Sequence, residues 1–402
     1  MKVTWVTTSV PHPAGSGGRA HEFELIRALA ERHEIHVITC DVHDPLGGNA
    51  VIEAGARFTQ VPWKVRPYPT SKLGVARGLV RADPTLTIWL GRDRIPRLAE
   101  AVTTAAEQGR PDLIQITHGE LAALLDHVDH PTGLLLFDAL TRTLETRRRV
   151  EPLLRRRVQL TLELARTKRF ERRNYAKADA VASVSSVDAA ALEALVGRPV
   201  DVLENPVADT FFEAPDRPRS TSIVSFVGAL AHQPNGDAIR WLVREIWPRV
   251  VAQRPDARLM VVGRADNDPT VPELRALVER VGGRLEADVP DIRPYYWEAA
   301  VVVSPLRHGS GLRNKVIHAM ACGAPVVATP SALEGLPPAA VQHAWTGTSA
   351  TEVADAILAV LADPTAAAAR AANAVHGLDP LRTDAVAARH ERWWSQLSQK
   401  RG

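Results

Sequence analysis

Short apolar runs, each closed by glycine, proline or polar residues, alternate along the chain with stretches of helical period. In the first half Val3–Thr8, Ile35–Thr39, Arg57–Val61, Leu113–Thr117, Gly133–Phe137 and Ala180–Val184 read as strands. Amphipathic stretches over Ala20–Arg32 and around Ala99–Gln108 read as helices between them. Continuous apolar strands separated by helices predict a parallel sheet covered on both faces. The pattern starts afresh at Ser222–Val227 and runs through a helix at Asp237–Gln253, a strand at Arg258–Val262 and a helix at Leu274–Val281. It continues with a strand at Ala300–Ser304, a helix at Arg313–Ala321 and a strand at Pro325–Ala328. The stretch Asn205–Ser222 has three prolines and few core residues, so it marks a seam. The predicted fold class is α/β, with two Rossmann-like doubly wound domains over residues 1–205 and 206–382, facing a central cleft. A final helix at about Thr383–Ser398, carrying Trp393 and Trp394, makes 383–402 a closing element packed across the seam.

Length agrees with this division, since 402 residues exceed one ordinary core. No segment approaches the ~18–20 apolar residues that span a bilayer, and the N-terminal MKVTWVTTSV reads as a buried strand rather than a signal peptide. With only Cys40 and Cys322 present, a disulfide framework and a structural zinc site are both excluded. The expectation is a cytoplasmic protein.

The formal net charge of +3 matters less than its distribution. Residues 142–173 concentrate arginine and lysine, while Val150, Leu153, Leu154, Val158, Leu162 and Leu164 recur at helical spacing. This predicts one long helix with a basic face. Three readings stand: a solvated face, contact with anionic lipid at the inner membrane surface or with an acidic acceptor, and nucleic acid. Nothing supports the last, because aromatics are not interleaved with the charges.

Candidate chemistry centres on Ser304–Leu336. A strand leads through a loop with Gly309, Ser310, Gly311 and Leu312 into a helix with Arg313, Lys315 and His318. Exposed N–H groups at a helix entrance form an anion site, and a lysine in the first turn is favoured there only if an anion compensates it. The order strand, glycine loop, lysine, helix, strand resembles the donor-diphosphate segment of two-domain nucleotide-sugar glycosyltransferases of GT-B architecture, most nearly the retaining family 4 group. The stretch 226–248, with Gly228 at a strand end and Asn235 in the following loop, is similar to the opening of the donor domain in sugar transferases of exopolysaccharide assembly. Asn235 also reads as an N-cap. The resemblance implies that Gly17 and Gly18, between the first strand and helix, approach the donor or acceptor through their backbone. It further implies that His118, at the end of the Leu113–Thr117 strand, lies near the transferred sugar, with Glu120 and Asp138 able to orient or deprotonate an acceptor hydroxyl. Glu334 reads as a sugar contact or as a loop residue.

The chain departs from the family at His318, where members carry the glutamate that binds ribose, and at Ser310, where an earlier glutamate stands. An imidazole accepts one hydroxyl hydrogen bond and not a bidentate pair. A competing dinucleotide reading rests on Gly15, Gly17 and Asp41. Asp266-Asn267-Asp268 mimics a metal-binding motif of another transferase fold but falls in a polar loop, and no metal or other cofactor is expected. The implied function is a glycosyltransferase moving a sugar from a nucleotide-diphosphate sugar to a small-molecule, glycan or lipid-linked hydroxyl. Forty-two arginines among 49 basic residues fit high-GC, actinobacterial coding, so a natural-product acceptor competes with a polysaccharide or lipid-linked one. A nucleotide-sugar 2-epimerase and a non-catalytic nucleotide-sugar-binding subunit remain as alternatives.

Overall fold

The computed structural model describes residues 1–13, 17–40, 47–62, 85–215, 218–308 and 312–399, with backbone alone at 47, 85–93 and 150. The chain divides into two compact units, one made of Met1–Pro206 with Thr383–Gly402 and the other of Val207–Arg382.

The first unit is a seven-stranded parallel sheet. Its strands are β1 (Lys2–Thr7), β2 (Glu34–Thr39), β3 (Arg57–Gln60), β4 (Leu113–Thr117), β5 (Thr132–Leu136), β6 (Ala180–Ser183) and β7 (Asp201–Val202). They lie in the order β3-β2-β1-β4-β5-β6-β7. β1 is registered on both neighbours, with Trp5 opposite Val37 and Gln115. The winding reverses between β1 and β4, and in open α/β sheets such a switch point leaves a crevice at the carboxyl ends of the strands. The helix Thr383–Gln399 completes this unit. Trp394 is fully buried, donates its indole N–H to Gln115 Oε1 at 2.6 Å, and meets Trp5 edge to face at 6.3 Å. A Cβ at Gly133 would sit 2.5 Å from the Trp393 ring, so β5 can receive that helix only with glycine there.

The second unit is a six-stranded parallel sheet of β8 (Ile223–Val227), β9 (Arg258–Gly263), β10 (Arg284–Ala287), β11 (Val301–Ser304), β12 (Val326–Ala328) and β13 (Trp345–Thr346). The order is β10-β9-β8-β11-β12-β13, which places its switch point between β8 and β11.

Three local expectations are corrected. The helix expected from Ala20 starts at Gly17. The helix expected over Asp237–Gln253 is Gln233–Trp241, a π segment at Leu242–Ile246, and Trp247–Gln253. Pro248 supplies no N–H to the carbonyl four residues back, and the Trp247 N–H reaches the wider-turn acceptor, Leu242 O. The basic stretch forms two helices, Leu140–Val150 and Leu154–Tyr175, because Pro152 disfavours helical geometry at the residue before it. Among the described residues no helix is long and apolar enough to cross a membrane.

Candidate functional site

At the first switch point, β1, β4 and the helix Gly17–Ala30 converge on Glu22, which is only 1% exposed. Its Oε1 accepts hydrogen bonds from Trp5 Nε1 at 3.1 Å and Thr117 Oγ1 at 2.7 Å. Its Oε2 accepts from Thr7 Oγ1 at 2.9 Å and lies 3.5 Å from His118 Nε2. A carboxylate so enclosed is tolerable only because each oxygen has donors. Burial pushes the Glu22 carboxyl up, but the His118, Thr117 and Trp5 hydrogen bonds outweigh it and hold the group below its usual range. Burial alone would depress His118. Glu22, and to a smaller extent Glu120 and Asp138, overcome that and raise the imidazole above its ordinary value. Each group therefore favours the charged form of the other.

His118 stands in the left-handed region at φ 72, donates its backbone N–H to Leu135 O at 3.0 Å, and stacks on Phe137 with centroids 4.7 Å apart. The structure thus brings together the sequence candidates His118, half-buried Glu120 and exposed Asp138. A second buried carboxylate, Glu171, ties the helix Leu140–Val150 to the helix Leu154–Tyr175. Glu171 accepts from the backbone N–H and hydroxyl of Thr141 and from Tyr175 OH, and burial pushes it up to about 7. The same Tyr175 hydroxyl would be 1.9 Å from a Cβ at position 119, so the residue after His118 has to be glycine.

Sequence reasoning missed Glu22. The available signal was position, because Glu22, Leu25, Ile26 and Leu29 share the inward helix face and an acidic residue there needs internal donors. Gly17 and Gly18 open the helix, and a Cβ at 18 would meet nothing closer than Phe137 at 3.9 Å. Packing within the unit therefore does not demand glycine at 18. Gly15 and Asp41, on which the dinucleotide reading leaned, lie outside the described residues.

At the second switch point the charges have the opposite character. Gly228 follows β8 and donates its N–H to Val262 O at 2.9 Å; a Cβ there would press on the Asn235 amide at 3.0 Å and the Lys315 stem at 3.3 Å. Asn235 is not the N-cap that its loop position implies. The helix begins two residues earlier, at Gln233-Pro234, with His232 at the cap. The buried Asn235 side chain turns back instead, donating to Ala229 O at 2.8 Å and accepting from Lys315 Nζ. That ammonium also lies 4.8 Å over the Phe226 ring. Burial, reinforced by Arg313, pulls Lys315 down to about 7. Burial likewise lowers His232, with Lys315, Arg313 and His308 adding to the effect. Arg307 grips Asp237 through two bonds at 3.0 and 2.6 Å, and His308 stands 3.5 Å from the same carboxylate.

Arg313, buried, supplies the carbonyl that receives the first N–H groups of the helix Asn314–Ala321, and Leu312 packs on the core beside it. Lys315 is the second residue of that helix. The His318 imidazole stacks on Phe211 at 4.0 Å, with the planes 17° apart. Exposed Glu334 ends the short helix Pro330–Leu333, followed by Gly335 at φ 79. Gly309, Ser310 and Gly311 lie outside the described residues. In the Asp-Asn-Asp loop the carboxylates engage different partners, Asp266 pairing with Arg264 at 2.7 Å and Asp268 capping Thr270 at 2.8 Å. Among the described residues no cluster of three or more His, Cys, Asp or Glu side chains is grouped to hold a metal ion.

Residues 221–363 match the family model described as Glycosyl transferases group 1, a span that contains the whole cationic cluster. Among solved structures, a sucrose-phosphate synthase from Thermosynechococcus elongatus aligns at TM-score 0.73 and 18% identity, covering 99% of each chain. Anabaena HepE in complex with UDP and glucose aligns at TM-score 0.67 and 16% identity, covering 98% of this chain and 99% of that one. An α,α-trehalose 6-phosphate synthase from Burkholderia multivorans aligns at 0.68 and 14%, covering 100% of both. These likenesses show the two-Rossmann-domain GT-B fold. No curated protein matches the sequence.

Proposed function

We propose that the protein is a metal-independent, retaining glycosyltransferase that moves a sugar from a nucleotide-diphosphate sugar to a hydroxyl acceptor. The observation that carries this reading is the cationic cluster of Lys315 and Arg313 at the β8–β11 switch point, inside the segment that matches the family. A half-buried lysine pulled down to about 7 next to an arginine is a poor arrangement by itself and a good one around a diphosphate. HepE, solved with UDP and with UDP-glucose, supports the same class of donor here.

In this reading Lys315, Arg313 and the N–H groups near Gly309–Gly311 hold the diphosphate. They stabilise the negative charge that grows on it as the glycosidic bond breaks, so the interaction strengthens toward the transition state. Gly228 and Asn235 keep the lysine in place, and His318 and Glu334 contact the ribose and the sugar. On the first unit His118 donates to the sugar or acceptor, Glu120 and Asp138 steer the acceptor hydroxyl, and Gly17 and Gly18 leave the helix entrance open to a ligand.

The test is to incubate the protein with UDP-, GDP- and dTDP-sugars, with and without acceptors drawn from natural-product aglycones and lipid-linked or free saccharides, following products by NMR. A glycoside with the donor's anomeric configuration, formed only with acceptor, is expected. A 2-epimer formed without acceptor identifies an epimerase instead. Donor binding with no turnover across the panel identifies a binding subunit.

A further inference from the structure

Among the described residues five large apolar side chains are exposed, and four of them fall between positions 153 and 162. Leu153, Leu154, Val158 and Leu162 are 55, 73, 54 and 47% exposed. Leu154, Val158 and Leu162 follow one another at four-residue steps in the helix Leu154–Tyr175, so they line a single face. That helix buries only its later half, through Leu164, Thr167, Phe170, Glu171, Asn174 and Tyr175. Residues 152–159 are exposed without exception, so the entrance of the helix projects from the unit. An apolar stripe of this kind on a monomer marks an interaction surface.

The charges around the stripe say what it meets. Arg155 and Arg157 are exposed on its flanks, exposed Arg156 lies on the opposite side of the helix, and the helix Leu140–Val150 ends in Arg147, Arg148 and Arg149 just before it. We infer that this projecting turn docks on an anionic lipid surface, with the leucines and valine dipping below the headgroups and the arginines at phosphate level. Arginine stems can lie along apolar material while their guanidinium groups reach phosphate. A second copy of the chain is a poor occupant, because it would set one arginine cluster against another. The helix would lie on the bilayer, since no described helix is long and apolar enough to cross it. The inference does not depend on which sugar reaction the protein performs.

The test uses the full chain with vesicles of phosphatidylcholine alone and of phosphatidylcholine mixed with phosphatidylglycerol. Cosedimentation is expected with the mixed vesicles only, and should weaken as salt rises from about 0.1 to 0.5 M. The combined Leu154→Ser, Val158→Ser and Leu162→Ser variant should lose at least about tenfold in partitioning. A probe independent of that variant's folding is Val158→Cys labelled with an environment-sensitive fluorophore, selective because Cys40 and Cys322 are buried. A blue shift with the mixed vesicles is expected. Three results would overturn the proposal: equal sedimentation with both vesicles, no fluorescence shift, or self-association that the triple variant abolishes while vesicle binding is absent.

Discussion

The two switch points are electrostatic opposites built on the same topology. In the first unit, a half-buried imidazole meets a buried carboxylate. Glu22 stands 3.5 Å from His118, each moves the other toward its charged form, and Trp5, Thr7 and Thr117 satisfy the remaining lone pairs. In the second, Lys315 has an amide oxygen, an aromatic face and an arginine for neighbours, and its proton is held weakly. One site is complete within its own side chains and presents a preset donor. The other sets cations side by side, and a bound anion would restore the balance. The contrast separates a group that positions from a group that binds.

The largest effect should come from removing the cation of the second site. Lys315→Ala is expected to weaken UDP, GDP or dTDP binding by roughly 1.5–3 kcal/mol, the scale of charge-assisted hydrogen bonds. Calorimetry showing unchanged affinities would remove the diphosphate assignment. The proton supplies a second readout. Because Lys315 titrates near 7 when folded, against ~10.4 when unfolded, the unfolded chain holds the extra proton between those values. Stability of the free protein should therefore rise with pH across that window. A diphosphate returns the proton, so binding near pH 8 should show proton uptake in buffers of differing ionisation enthalpy, and Lys315→Arg should bind without uptake.

A smaller effect is expected from neutralising the first site's carboxylate. Glu22→Gln should lower turnover about ten- to hundredfold while leaving donor affinity nearly intact, because it alters the charge on His118 and not the diphosphate contacts. NMR titration should find the His118 imidazole lower in the variant than in the native protein. Since the native imidazole is raised, the stability it contributes is complete below its ordinary ~6.5 and fades as pH climbs through the folded value. That pH dependence should flatten in the variant. An unmoved His118 titration would show that Glu22 supports packing alone.

The smallest effect should appear at His318. Replacing it by glutamate, the residue that the family resemblance implies, removes the stack on Phe211 and should cost about 0.5–1.5 kcal/mol in unfolding of the second unit. Ribonucleotide donor affinity should be at least retained, with weaker dependence between about pH 5.5 and 7.5, the window around an ordinary histidine. Loss of donor binding in His318→Glu, together with a flat native pH profile, excludes the ribose role and leaves His318 as the platform for Phe211.

Strands were legible because strands buried on both faces leave uninterrupted apolar runs, as in Leu113–Thr117 and Val301–Ser304. The place of Lys315 in the first turn of its helix was legible because it is set locally, by the segment that follows the strand Val301–Ser304. Glu22 was not, since its meaning depends on Thr117 and His118, about a hundred residues away. Asn235, expected as the N-cap, lies three positions beyond it, and its partner Lys315 lies 80 residues on. Pro152 was visible in the basic stretch, but the periodicity of the leucines on either side masked the break. That those leucines face solvent could not be read from spacing, which marks a common face without saying what covers it.

The helix Thr383–Gln399 also sets the order in which the molecule can be completed. The first unit is discontinuous, and its closing residues are separated from Pro206 by all of Val207–Arg382. On the ribosome the second unit is therefore fully synthesised before Trp393 can cover Gly133 or Trp394 can meet Trp5 and Gln115. Until then the sheet that emerged first keeps an apolar face open, a window in which chaperones or misassembly compete for it.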